Sequence, residues 1–209
     1  MAKPFIKWVG GKSQLIPEIT QRLPEYVKNG KPYIYVEPFS GSAAVALHLL
    51  DSGHPPSAII LNDINTDLVN LYKVVKSNPH ELLAYLKTLQ VEYDELEDKE
   101  AKQPYYYTKR EEFNTREADD IKHAGLFIFL NRAGFNGLYR VNSKNKFNVP
   151  IGSYKKPNVV FEDIILQASK VLANVEIYNQ SYEDTLSHLE QFNKSNLPAF
   201  FYFDPPYKP

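Results

Sequence analysis

The residues best suited to chemistry stand at the end of an apolar run. Ala199-Phe200-Phe201-Tyr202-Phe203 reads as a buried strand, and Asp204-Pro205-Pro206-Tyr207 follows it directly. A carboxylate at the carboxyl end of a parallel strand faces the crevice where doubly wound sheets bind ligands. The two prolines lock the backbone, so the carbonyl between them has a fixed direction and no competing N–H. Tyr207 can present a flat face to a planar ligand. Prolines also end strands with no chemistry attached, so the tetrapeptide gains weight only from its companions. The reaction that suits it is methylation of an aromatic amine, a poor nucleophile because its lone pair is delocalised into the ring. Two acceptors on its N–H bonds pull the nitrogen toward tetrahedral geometry and stabilise the charge that builds as the methyl group arrives. An aromatic face on the base adds about 1–3 kcal/mol. A base within a duplex must first be flipped out.

Two further strand-end motifs describe one crevice with Asp204, and a third segment could meet a ligand. Val36-Glu37-Pro38-Phe39-Ser40-Gly41-Ser42 is a strand-end acid followed by a small-residue turn, which lets backbone approach a nucleotide-like ligand. Asn62-Asp63 ends the next apolar run, where an acid can hold ribose hydroxyls. Taken singly, both also match ordinary strand-to-helix turns. Pro4-Phe5-Ile6-Lys7-Trp8-Val9-Gly10-Gly11-Lys12 offers a Gly-Gly turn that brings Trp8 and Lys12 against a ligand, with Lys12 as a cation for a carboxylate. Its glycine-to-lysine spacing is not that of a phosphate-binding loop.

The elements that must position these residues alternate. Strands are expected near 33–36, 58–61, 175–178 and 199–203, with helices near 43–50, 68–75, 79–89, 117–132, 161–172 and 182–192. This order predicts an α/β fold with a mostly parallel sheet and crossover helices. Residues 91–100 are acidic and polar, a solvated helix end or loop, and 134–154 change texture to Gly, Asn, Lys and aromatics, read as an inserted hairpin or loop module.

The bulk numbers exclude more than they assign. The 209 residues carry 24 Lys and Arg against 25 Asp and Glu, a net charge of -1, so the total says nothing of a polyanionic partner. Between Asp120 and Glu162, however, seven cations (Lys122, Arg132, Arg140, Lys144, Lys146, Lys155 and Lys156) face no acid. Asn131, Asn136, Asn142, Asn145 and Asn148, with Phe135 and Tyr139, add groups able to read or stack on bases. With no cysteine, thiolate nucleophiles, thiolate zinc sites and disulfides are absent. The five histidines are scattered without metal-ligand spacing, so no metal is expected. No apolar run is long enough to span a membrane and no signal-peptide pattern opens the chain, which makes a cytoplasmic location the default.

These motifs, in this order, resemble the Dam-type DNA adenine methyltransferases of bacteria and phages. Lys7-Trp8-Val9-Gly10-Gly11-Lys12 resembles the family's N-terminal cofactor motif, Glu37-Pro38-Phe39-Ser40-Gly41 its first-strand motif, and Asn62-Asp63-Ile64-Asn65 its second-strand motif. Asn136-Gly137-Leu138-Tyr139-Arg140-Val141-Asn142 with Phe147-Asn148-Val149-Pro150 is similar to its target-recognition hairpin, and Asp204-Pro205-Pro206-Tyr207 to its catalytic motif. The resemblance implies a Rossmann-like S-adenosylmethionine-dependent methyltransferase sheet with an inserted, mostly helical DNA-recognition region containing a β-hairpin. Residues 1–71 and 161–209 would form the catalytic domain, and 72–160 the insert.

The resemblance also implies the roles of residues. Trp8, Lys12, Asp63 and Asp204 would contact S-adenosylmethionine, with Phe39 and Gly41 shaping the pocket. Asp204 and the Pro205 carbonyl would hold the adenine amine, and Tyr207 would stack on the flipped base. Lys7, Arg140, Asn142, Lys144 and Lys146 would touch double-stranded DNA, for which GATC is the family's commonest target. The chain would act as a monomer.

Three departures stand out. Ala43 occupies a position where the family often has glycine, which an alanine fits only if φ there stays negative. Ser181-Tyr182 replaces an Asp-Phe pair that usually contacts the cofactor's adenine. Family members continue past the catalytic motif with further strands, so the chain is read as truncated there. Two other readings of the same residues remain open: methylation of an RNA base or another amine, and a non-catalytic remnant that binds DNA or cofactor.

Overall fold

A computed structural model describes residues 2–206. Four parallel strands form one sheet in the order β3-β2-β1-β4: β1 (Ile34–Glu37), β2 (Ala58–Asn62), β3 (Val175–Tyr178) and β4 (Ala199–Phe201). β1 aligns Ile34 with Ala58 on one side and Ile34 with Ala199 on the other. The chain therefore leaves β1 toward β2 and β3 and returns to its opposite side in β4. The sheet order reverses between β1 and β4, the switch point at which such sheets open a crevice beyond their carboxyl ends.

Helices cover both faces. Before β1 come α1 (Ile16–Gln21) and α2 (Glu25–Lys28), and after it α3 (Ala44–Leu50). Between β2 and β3 lie α4 (Thr66–Ser77), α5 (Pro79–Asp94), α6 (Lys99–Thr115), α7 (Asp120–Ala133) and α8 (Glu162–Leu172), and α9 (Thr185–Phe192) precedes β4. Strand alternation divides the core. Tyr35, Ile59 and Leu61 pack into the large cluster under α3, α4 and α8, while Ile34, Val36 and Ile60 meet Leu189 of α9 on the other face. Each of α4, α6 and α7 begins on a side-chain cap, Asn65 for Leu68 N–H, Asp98 for Ala101 N–H and Asp119 for Lys122 N–H. α7 is buried on nearly every side from His123 to Ala133, as an all-round apolar helix must be, with α4, α5 and α6 packed around it.

The differences from expectation have local causes. α6 is not legible as a helix, because Pro104 lies inside it and its sequence Lys-Glu-Ala-Lys through Arg-Glu-Glu is polar; only Lys102, Tyr106 and Phe113 are buried. β4 ends two residues early, although Tyr202 N–H still donates to Val36 O at 2.9 Å. The hairpin module at 134–151 is closed by two isolated antiparallel bridges, Gly134 with Ile151 and Val141 with Phe147. Asn114 of α6 satisfies the free edge of that module: its Oδ1 accepts Phe147 N–H at 2.7 Å and its Nδ2 donates to Phe147 O at 3.1 Å. Ala43 overturns the negative-φ condition, since it sits at φ 49, ψ 31. The tight turn into α3, with Ala43 N–H on Ser40 O at 2.6 Å, imposes this left-handed geometry on a residue with a Cβ.

Candidate active site

The site assembles where the Pro4-to-Lys12 segment crosses the carboxyl ends of the strands. Phe5 and Ile6 are buried, and Phe5 sets its ring edge-on against Tyr72 of α4 at 5.3 Å. Asn131 of α7 then grips the segment. Its Oδ1 accepts Lys7 N–H at 2.9 Å, and its Nδ2 donates to Lys7 O at 2.8 Å and to Gly137 O at 2.7 Å. Gly10 supplies φ +77 for the turn that closes Gly11 N–H on Trp8 O at 3.0 Å. Past the turn, Lys12 Nζ donates to Gly10 O at 2.6 Å and pairs with the Asp204 carboxylate.

Around this pair lies a cavity of about 480 Å³. Trp8, Lys12, Phe39, Gly41, Asp63, Asp204 and Pro205 all line it, so residues from four separate stretches of sequence meet in one place. Glu37 lines it too and is 3% exposed. Burial pushes the Glu37 carboxyl up to about 8; the Tyr35 hydroxyl, 2.9 Å away, and Ala46 N–H pull it down, while Asp204 and Asp63 add to the rise. Burial likewise raises Asp63, against the N–H groups of Asn65, Gly41 and Ile64. Its two oxygens accept Gly41 N–H and Asn65 N–H, each at 3.0 Å, and so tie the first-strand turn to the start of α4. Gly41 is required twice over: it has φ +46, and a Cβ there would lie 3.0 Å from the Trp8 indole.

The sequence placed Asn62 in a strand-end motif without a role of its own and did not single out Asp67. Asn62, 1% exposed, donates to Pro38 O at 3.2 Å and Gln180 O at 3.0 Å and accepts Gln180 N–H at 3.1 Å, locking three strand-end loops together. Asp67 is 4% exposed and receives the Tyr139 hydroxyl at 2.7 Å, Arg116 at 3.1 Å and His123 Nε2 at 2.9 Å. Burial works to raise its carboxyl, but these partners outweigh it and hold it below the usual range. The sequence signal for Asp67 is weak, since an acid in the first turn of a helix is ordinary.

Two residues grouped with the base-reading set have other placements. Asn131 is 2% exposed with its amide committed to backbone, and Tyr139 turns inward to stack on Trp8 at 5.5 Å. Arg132, counted among the basic run, is also drawn inside: its Nη2 donates to Phe5 O at 3.1 Å and its guanidinium lies over Phe161. Tyr182, in place of the expected phenylalanine, packs its ring 5.2 Å from Phe39.

The expected DNA-facing residues lie on the outside. Arg140, Asn142, Lys144 and Lys146 are exposed on the hairpin module. Asn142 shapes the tip, with its Oδ1 accepting Lys144 N–H at 2.9 Å and Lys146 N–H at 3.0 Å. Arg140 Nε donates to Asn148 Oδ1 at 2.7 Å. Lys7 reaches the Tyr154 hydroxyl at 3.0 Å, and its ammonium stands over that ring. Tyr207 lies outside the described residues. Among those residues no group of three or more His, Cys, Asp or Glu is placed to hold a metal, and no helix is long and apolar enough to cross a membrane.

Chemically, the cavity combines three carboxyls, one ammonium and three aromatic side chains, Trp8, Phe39 and Tyr139. Such a set can hold a ligand that combines a flat ring, hydroxyl groups and charged ends. A family model described as D12 class N6 adenine-specific DNA methyltransferase matches residues 8–209. The type II methyltransferase M.MjaIII of Methanocaldococcus jannaschii is 41% identical over 209 residues, covering 99% of this chain and 70% of that protein. The type II methyltransferase M1.LlaDCHI of Lactococcus lactis subsp. cremoris is 34% identical, and the DNA adenine methylase of Escherichia coli (strain K12) 36%, each matched over 99% of this chain and 66% of its own length. The chain thus spans about two thirds of the length of these relatives.

Proposed function

The chain belongs to the D12 class N6 adenine-specific DNA methyltransferases, and on that premise we propose that it methylates the exocyclic N6 amine of a flipped adenine in duplex DNA. S-adenosylmethionine supplies the electrophilic methyl group on a positively charged sulfur. The observation that carries the reading is the convergence of Trp8, Lys12, Asp63 and Asp204 on one cavity at the switch point of the sheet.

Asp204 accepts one amine N–H, and the Pro205 carbonyl, fixed in direction by the two proline rings, accepts the other. Together they would concentrate the lone pair and offset the positive charge on nitrogen as the N–CH3 bond forms and the S–CH3 bond breaks, after which the neutral thioether leaves and one amine proton passes by way of the carboxylate to solvent. Lys12 sets the Asp204 carboxylate in place through their ion pair. Asp63 holds ribose hydroxyls, and Trp8 and Phe39 wall the cofactor. Tyr207 stacks on the base. Residues 72–160 act as the target-recognition insert, with Lys7, Arg140, Asn142, Lys144 and Lys146 toward the duplex. No step calls for a metal or a covalent enzyme intermediate.

The test is transfer of tritiated methyl from S-adenosylmethionine to unmethylated duplex DNA, with Asp204→Ala as control. Label in adenine that drops by about 10²–10³ in the variant is the expected result. Label in another base, or equal label in the variant, overturns the proposal.

A further inference from the structure

Tyr139 belongs to the hairpin module by sequence and to the cavity by position. Its neighbour Arg140 is exposed and bonded across the module to Asn148, whereas Tyr139 points inward and lines the cavity beside Trp8. The ring of Tyr139 forms a three-ring cluster with two others, 5.5 Å from Trp8 at 27° and 5.3 Å from Phe127 at 17°, with Trp8 and Phe127 themselves 6.5 Å apart. Its hydroxyl donates to Asp67 at 2.7 Å, in the first turn of the helix that starts just after Asp63. Asp67 is itself an anchored acceptor, held by Arg116 at the end of α6 and by His123 of α7. Trp8 on its other side borders Gly41, whose N–H is bound by Asp63. One side chain of the recognition module therefore touches both walls of the cavity, the indole through its ring and the α4 start through its hydroxyl.

We infer that Tyr139 is a positioning residue through which engagement of DNA by the hairpin module sets the cofactor walls, coupling the two binding events. The inference rests on the function proposed above. A displacement of the Arg140 backbone by a bound duplex moves the adjacent Tyr139, and the Asp67 anchor makes that movement a choice between keeping and breaking a part-buried hydrogen bond. Coupling of this kind is reciprocal and commonly amounts to about 5–150-fold in affinity. Were Tyr139 mere packing, removing its hydroxyl would leave the coupling unchanged.

Trp8 is the single tryptophan of the chain, so its emission reports this stack without a label. The probe is S-adenosylhomocysteine, the demethylated cofactor, titrated into the wild-type chain and Tyr139→Phe with and without unmethylated genomic DNA fragments. Phenylalanine keeps the ring against Trp8, and Asp67 retains Arg116 and His123, so the variant folds. In the wild-type chain, DNA alone shifts Trp8 emission and tightens binding of the probe by at least about fivefold. In Tyr139→Phe, the ratio of probe affinity with DNA to that without it falls toward one, whatever the affinity without DNA. An unshifted wild-type emission, or an equal gain in the two proteins, overturns the inference while the proposed function stands. Absence of any probe binding to the wild-type chain overturns the cofactor reading and this inference with it.

Discussion

Glu37→Gln tests the electrostatics of the crevice in a way that needs no ligand. The Glu37 carboxyl is pushed from its ordinary 4.5 to about 8, chiefly by burial. A carboxyl raised on folding binds its proton more tightly in the native state, so its contribution favours the fold below pH 4.5 and is lost as pH climbs to about 8. Over that window each pH unit removes ~1.4 kcal/mol, and ~3 kcal/mol is gone by neutrality. Glutamine occupies the same volume and does not ionise, while the Tyr35 hydroxyl can rotate to accept from its amide. Urea unfolding of both proteins at intervals from roughly pH 5 to pH 8 measures the difference directly. The stability of the variant relative to wild type is expected to rise steadily with pH and level off above about 8. A difference that stays flat or shrinks would refute the reasoning, because it would place an ionised Glu37 in the folded crevice, compensated by Lys12 or by water.

The remaining predictions concern the scaffold and the outer face. Asn131→Asp sets a carboxylate against the Lys7 and Gly137 carbonyls that now accept from its Nδ2, and a loss of about 3 kcal/mol or more in chemical denaturation is expected. Ala43→Gly relieves the left-handed strain at φ 49 but gives up a buried methyl, so it is expected to stay within about 0.5 kcal/mol of wild type, whereas Ala43→Val costs over ~2 kcal/mol in the same assay. Lys144→Gln with Lys146→Gln leaves the melting temperature unchanged, as both side chains are exposed, and lowers the slope of log affinity for DNA against log salt by about 1–2.

How much of this was legible follows from where the information lies. The strand ends were, because short runs such as Ala58-Ile59-Ile60-Leu61 are apolar on both faces and stop at polar residues. So was the helix pattern of α8, whose buried Ile165, Ala168 and Leu172 recur every three or four residues. The sequence also named the three acids, since each stands directly after such a strand. It did not reveal α6, where a proline and a polar stretch hide a helix that packs on α7 chiefly through Tyr106 and Phe113. Nor did it separate Asn131 from Asn142, two asparagines in one Asn-rich stretch. Only the packing of α7 decides that the first faces the chain's own backbone and the second a solvent-exposed tip. The left-handed Ala43 is of the same kind: the turn dictates φ, and the residue type argues against it.

On the proposed reading, the charge pattern divides the labour between the two faces. The crevice holds Asp63 and Asp204 against Lys12, with Glu37 beside them as a largely protonated carboxyl at neutral pH, while the hairpin module presents Arg140, Lys144 and Lys146 with no acid between Asp120 and Glu162. A phosphate backbone is drawn to the second surface and repelled by the first, so a strand held on the module does not slide into the cofactor site. What can approach Asp204 is an uncharged base turned out of the stack, and a buried acceptor pair discriminates by what it would leave unpaired. An amine with two N–H bonds satisfies both Asp204 and the Pro205 carbonyl. A ring carbonyl in the same place would set oxygen against oxygen. Selection of an amino-bearing base is thus built into the two acceptors themselves, and the module's task reduces to choosing which such base is presented.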